Sequence, residues 1–223
     1  MATGDRTPSG RAADPFEPAG GWAGPREPRM EPPPLAERGA LFRTVSRFAA
    51  LFDRPELPVL FPVLHQNPRL FWGWLYFASR LMPYGTLPAP VREKLILRTA
   101  WNCRSRYEWG QHVDLGLAAG VRDDEIVALT RAAEAIPDED DRLLARACDE
   151  LCTANVLSDA TWGELAARFD RKRLIEVTLL VGHYRMLAGF LSSAGLALEA
   201  PIEERLQAFF ARVSELGSTG AQS

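Results

Sequence analysis

The chain has 223 residues, 47% apolar and 9% aromatic, enough to build a buried core in one domain or two small ones. Its formal charge of −3 and its pI near 5.7 come without a concentrated basic face, which excludes the electrostatic footprint of a nucleic-acid binder. Three cysteines are an odd count that argues against a disulfide framework and fits a reducing compartment.

The N-terminal stretch has no apolar core of the length a secretory signal needs, and no later apolar run reaches membrane-spanning length without a charge. A cytoplasmic protein without a membrane partner is the expectation. Residues 1–36 are rich in Pro and Gly and lack an apolar period, so they read as a disordered or loosely packed tail. Residues 37–216 read as a single all-helical domain, and 217–223 as a polar tail. Two-residue alternation and matched strand pairs are missing.

In chain order, Leu41, Val45, Phe48 and Phe52 recur at helical steps and predict a first helix over 41–52, which Pro55 and Pro58 end. A very aromatic second helix follows Asn67, a good N-cap, with Pro68 in its first turn. Its Phe71, Trp72, Trp74, Tyr76 and Phe77 cover more than one face, so part of that surface should meet another subunit or an apolar ligand. Val91, Leu95, Leu97 and Ala100 mark the next helix, and a further one runs from about Ser105 to Gly120, which suits a left-handed C′ position. An acidic-fronted segment over 122–136, a helix after Pro137 and another after Ser158 come next. The stretch 171–198 is apolar on nearly all sides, as in a bundle centre or an oligomer interface. A final amphipathic helix covers 202–216.

Ser105 and Glu108 have the spacing of a capping box, a purely structural role. Glu108 and His112 are four apart, on one helix face, where a carboxylate can orient an imidazole for a proton relay. His65 and His183 lie far from His112, and the three have no paired ligand spacing, so a metal site is not expected. His183 reads as a core or interface histidine, with Tyr184 and Arg185 as residues of a pocket wall. Cys148 and Cys152 are four apart on one helix and read as small buried apolar residues.

The run "LPAPVREKLILRTAWNCRSRYEWGQHVDLGLAAGVRDDEIVAL", residues 87–129, resembles the carboxymuconolactone decarboxylase-like superfamily, which includes the alkylhydroperoxidase D proteins. The family pattern is a helix bearing Glu, then C-x-x-C, then His four residues after the second Cys, then a small-residue turn and an acidic helix start. By position, the helix Glu is Glu93, the two Cys positions hold Ser105 and Glu108, and the His is His112. The resemblance implies an all-α, alkylhydroperoxidase D-like helical bundle that assembles as a homo-oligomer.

The departure from the pattern matters as much as the match. Without the two thiols, the resemblance favours the decarboxylase branch, an acid–base lyase needing neither metal nor organic cofactor and acting on a small carboxylated lactone or unsaturated acid. His112 is then the proton donor, Glu108 its orienting partner, Glu93 a second relay member and Tyr107 an oxyanion donor. Ser105 and Cys103 are accessory positions. Two alternatives stand beside this reading: a thiol-dependent hydroperoxide reductase of peroxiredoxin type that uses Cys103, and a non-catalytic oligomeric scaffold.

Overall fold

A computed structural model describes residues 14, 16–39, 42, 44 and 57–219. Nearly all of the helix expected over 41–52 lies outside the described residues, as do residues 1–13. Among the described residues there are nine α-helices and no strand. They are α1 (Leu60–Leu64), α2 (Pro68–Leu81), α3 (Ala89–Asn102), α4 (Arg106–Ala118), α5 (Asp123–Ala128), α6 (Glu139–Ala154), α7 (Asp159–Arg168), α8 (Arg171–Ala194) and α9 (Ala200–Thr219).

The ends of these helices follow local chemistry. Asn67 caps α2 by accepting from the Leu70 N–H at 3.3 Å, and Ser158 caps α7 by accepting from the Thr161 N–H at 3.2 Å. Gly120, with φ +90°, ends α4 in a Schellman motif: its N–H reaches the Leu117 carbonyl at 3.0 Å, and the Val121 N–H reaches the Gly116 carbonyl at 2.9 Å. The acidic-fronted segment forms a shorter helix than expected, since α5 stops at Ala128 and only a 3-10 turn over Ala133–Ala135 follows.

The centre of the bundle is α3, which packs against α4, α6 and α8. Leu95, Ile96, Leu97 and Ala100 are all fully buried, so this helix has no solvent stripe over its last two turns. Its Arg98 is buried among matched acceptors: Asp149 takes both arms of the guanidinium at 2.7 Å, and the Leu129 and Arg131 carbonyls accept at 2.6 Å. A buried charge that is fully paired in this way fastens α3 to α6 and to the turn after α5.

Helix α8 is long and apolar enough, by length and composition, to cross a membrane, yet 56% of its most apolar window is buried in the bundle. Its other side leaves Ile175, Leu179 and Met186 exposed, and α2, which packs against α8, leaves Tyr76 and Phe77 exposed.

The described part of the N-terminal segment corrects the expectation of a loose tail. Residues 16–39 are irregular apart from a 3-10 turn over Leu35–Glu37, but anchored. Trp22 packs against Trp101 at 5.5 Å and Trp109 at 5.7 Å between ring centroids, and the Ala23 N–H donates to the Arg104 carbonyl at 2.8 Å. Pro and Gly deny this segment a helix, but its few aromatic side chains are enough to hold it on the bundle.

Candidate active site

Helices α3 and α4 are joined by only Cys103, Arg104 and Ser105, with Arg104 left-handed at φ 55°. The tight turn lays the two helices side by side and brings Glu93 of α3 to His112 of α4. His112 Nδ1 lies 2.7 Å from Glu93 Oε2, and both residues are buried. Arg92 Nε donates to the other carboxylate oxygen at 3.2 Å. Burial by itself would push the Glu93 carboxyl up, but the charge and hydrogen bond of His112, reinforced by Arg92, outweigh it and hold the group below its ordinary value. An ionised carboxylate can only accept, so Nδ1 carries a hydrogen and Nε2 is the nitrogen left to exchange protons. The ring also stands edge to face with Tyr184 of α8, centroids 5.0 Å apart.

Glu108 occupies a different state. It lies in the first turn of α4, 3% exposed, and neither carboxyl oxygen has a hydrogen-bond partner among the described residues. Burial raises its pKa well above the ordinary value, and the Cys152 sulfur adds to the effect. A buried carboxyl without a cation or donor is stable only as the neutral acid, which makes it a proton donor.

Two expectations are corrected here. Glu108 does not orient His112, because Glu93 does, from the neighbouring helix. The capping box does not form either: Ser105 makes no side-chain cap bond, and its hydroxyl is buried without a partner among the described residues. The i, i+3 spacing permits the box, but the Glu108 side chain is drawn into the interior between α4, α6 and α8. There it faces Cys152 and Tyr184.

Tyr107 is also engaged elsewhere. Its hydroxyl donates to Glu199 Oε1 at 2.9 Å and accepts from the Leu60 N–H at 3.2 Å. Glu199 accepts in addition from the Val59 N–H and from Gln111. Tyr107 is therefore a clamp between α1, α4 and the start of α9, with its one proton committed, rather than an oxyanion donor.

Three further residues at this site had little signal in the sequence. Tyr184 touches His112, and His183 beside it is buried and stacked on Trp74 with 13° between the rings. His183 Nδ1 has no hydrogen-bond partner among the described residues, and burial lowers its pKa to about 4. The third is Cys152, half-buried on α6, whose thiol interacts with that of Cys103. The Cys103 thiol is pushed far up, first by the neighbouring Cys152 and then by burial, whereas Cys152 is held below its ordinary value by Cys103 and by the positive charge of Arg185.

Among the described residues no group of three or more His, Cys, Asp or Glu side chains is placed to hold a metal ion. A separate cleft of about 390 Å³ is bordered by Arg122, Glu125, Ile136, Asp141 and Val213. Its carboxylates are already matched, since Lys94 Nζ donates to Glu125 and Asp141 at 2.8 Å, and none of the relay residues lines it.

The sequence profile of the Carboxymuconolactone decarboxylase family matches residues 68–147, the segment that holds Glu93, Glu108 and His112. No functionally curated protein matches the chain. Among solved structures, an uncharacterized peroxidase-related protein from Silicibacter sp. TM1040 superposes with a TM-score of 0.70 at 11% identity, covering 80% of this chain and 95% of that one. An alkylhydroperoxidase AhpD core protein from Ralstonia eutropha JMP134 gives 0.69 at 14% identity, with 78% and 94% covered. The debrominase Bmp8, as a cysteine-to-alanine variant in complex with 2,3,4-tribromopyrrole, gives 0.64 at 14%, with 81% and 96% covered. At these identities the likeness establishes a shared all-α fold.

Proposed function

From the match of residues 68–147 to the Carboxymuconolactone decarboxylase family and the AhpD-like fold, we infer a cofactor-independent acid–base enzyme acting on a small carboxylated lactone or unsaturated acid. The observation that carries this reading is one pair of buried carboxyls in opposite surroundings, one bonded to His112 and Arg92 and one with no hydrogen-bond partner among the described residues. Glu93 is ionised and fixes His112, while Glu108, one helical turn before His112, is neutral and unpartnered. Environments that drive two carboxyls apart assign one as the orienting base and the other as the acid.

In a decarboxylation, the substrate carboxylate leaves as carbon dioxide, and the bonding pair moves into the conjugated carbonyl as a dienolate. The dienolate is then protonated at carbon. Glu108 supplies that proton or holds the developing oxyanion through its O–H, and His112 Nε2 exchanges protons with substrate and solvent, steadied by Glu93. Isomerisation uses the same groups, with His112 removing a proton from one carbon and Glu108 returning one to another.

The structural neighbours, which include peroxidase-related proteins and a debrominase, support a second reading, reduction of a substrate at the expense of thiols. The raised Cys103 thiol weighs against Cys103 as the attacking group. The exposed Ile175, Leu179 and Met186 of α8, with Tyr76 and Phe77 of α2, support self-association into a homo-oligomer.

The deciding experiment offers carboxylated lactones and unsaturated acids in deuterated water and follows carbon dioxide release and deuterium at carbon. The acid–base reading expects turnover that falls by about 10²-fold or more in His112→Ala and Glu108→Gln and persists when Cys103 and Cys152 are both Ser. Hydroperoxide consumption with a thiol reductant that survives Glu108→Gln and vanishes in the double Ser variant would replace it with the second reading.

A further inference from the structure

Helices α3 and α6 lie in register. Thr99 Oγ1 is 3.7 Å from Cys148 Sγ, the Cys148 thiol donates to the Leu95 carbonyl at 3.5 Å, and Asn102 Nδ2 donates to Asp149 Oδ1 at 2.7 Å. One helical turn beyond the Thr99 and Cys148 contact, the same register brings Cys103 to Cys152. The two thiols interact with each other, and Asn102, whose side chain is held on Asp149, also faces Cys152. Arg185 of α8 closes the site: its Nη1 donates to the Leu151 carbonyl at 3.2 Å and to the Asn155 side chain, with its charge facing both sulfurs.

Cys148 provides the contrast within the same helix. It is fully buried, and burial pushes its thiol up, as for a cysteine that only fills space. Cys103 and Cys152 are half-buried and sit where α3 and α6 end. Cys103 caps α3 ahead of the left-handed Arg104, and Cys152 lies in the last turn of α6 ahead of the left-handed Asn155. Any movement needed to reach an S–S bond of about 2.05 Å falls on these helix ends rather than on the core.

We propose that Cys103 and Cys152 form a thiol–disulfide exchange site whose oxidising substrates are small-molecule disulfides, with Cys152 as the attacking thiolate and Cys103 as the resolving thiol. The Cys152 sulfur attacks one sulfur of R–S–S–R, the S–S bond breaks, and the first thiolate leaves, leaving Cys152 joined to the second RS group. The Cys103 thiol then gives up its proton and attacks Cys152 Sγ, and the second RS leaves carrying that proton. Two protein sulfurs are oxidised to one disulfide and the substrate disulfide is reduced to two thiol equivalents. A thiolate beside a cation, next to a protonated thiol in contact with it, is the arrangement this exchange requires. The site borders Glu108 through Cys152, but neither sulfur belongs to the Glu93 and His112 relay, and the exchange does not require the acid–base reading.

The test exposes the full-length reduced protein to glutathione disulfide and maps the products by peptide mass spectrometry. The expected result is a Cys103–Cys152 linked peptide with Cys148 left as the free thiol. Cys103→Ser should then trap glutathione on Cys152, and Cys152→Ser should react about tenfold or more slowly at Cys103. An unlinked wild-type protein overturns the proposal, whether unreacted or carrying glutathione singly, and so does equal reactivity of Cys103 and Cys152 in the two variants. The wild-type map decides even if a Ser variant fails to fold.

Discussion

Glu93 Oε2 holds His112 Nδ1 at 2.7 Å across the interface between α3 and α4, so the imidazole is oriented by a carboxylate nineteen positions earlier in the chain. Both groups are buried, and removing one leaves the other without its partner. Glu93→Gln should destabilise the protein by about 3 kcal/mol, read by urea denaturation at neutral pH. Because the folded Glu93 pKa is lowered, its contribution is present above the unfolded value and is lost as the pH falls through the folded one. The wild type should therefore lose stability on the acid side more steeply than the variant.

Glu108 has the opposite sign. Its folded pKa is raised, so the stability it contributes is complete below the unfolded value and is lost as the pH rises towards the folded one. Over that window the wild type should lose up to about 1.4 kcal/mol per pH unit relative to Glu108→Gln. Parallel denaturation series at stepped pH check this, and identical slopes would show that Glu108 is not held neutral.

Tyr107 should behave as a structural residue. Tyr107→Phe removes the acceptor of the buried Leu60 N–H and the donor to Glu199, at a cost of about 1–3 kcal/mol. The His112 ring resonances in an NMR spectrum should stay in place, since no bond to His112 is touched.

The N-terminal segment should contribute to stability through Trp22, which meets Trp101 and Trp109. Trp22→Ala should cost about 2–3 kcal/mol, below the range for a fully buried tryptophan because Trp22 is only half-buried. A thermal melt of this variant that overlays the wild type would show that the segment does not dock in solution.

The helices were legible because their signals are local. Asn67 and Ser158 as caps, Gly120 as a left-handed terminator and the apolar steps of α3 each act within a turn or two of chain. The membership of the site was legible in part. Glu93, Glu108 and His112 follow from the resemblance to a family pattern, but the identity of the partner of His112 depends on how α3 packs on α4, which spacing within α4 cannot reveal. The same limit hid the clamp of Tyr107 on Glu199, ninety-two residues away, and the meeting of Cys103 with Cys152. The N-terminal segment misled for another reason. Its composition denies it a helix, whereas its docking rests on a few side chains such as Trp22 that composition averages away.

The most direct test of the account is the protonation of the two glutamates. With Glu carboxyl carbons labelled by carbon-13, and with Glu93→Gln and Glu108→Gln to assign the signals, the carboxyl shifts are followed from about pH 5 to about pH 8. The account predicts that the Glu93 signal stays at the carboxylate position throughout and that the Glu108 signal stays at the protonated position through neutral pH. A Glu108 signal already at the carboxylate position at about pH 5, alongside the exposed glutamates, would contradict it.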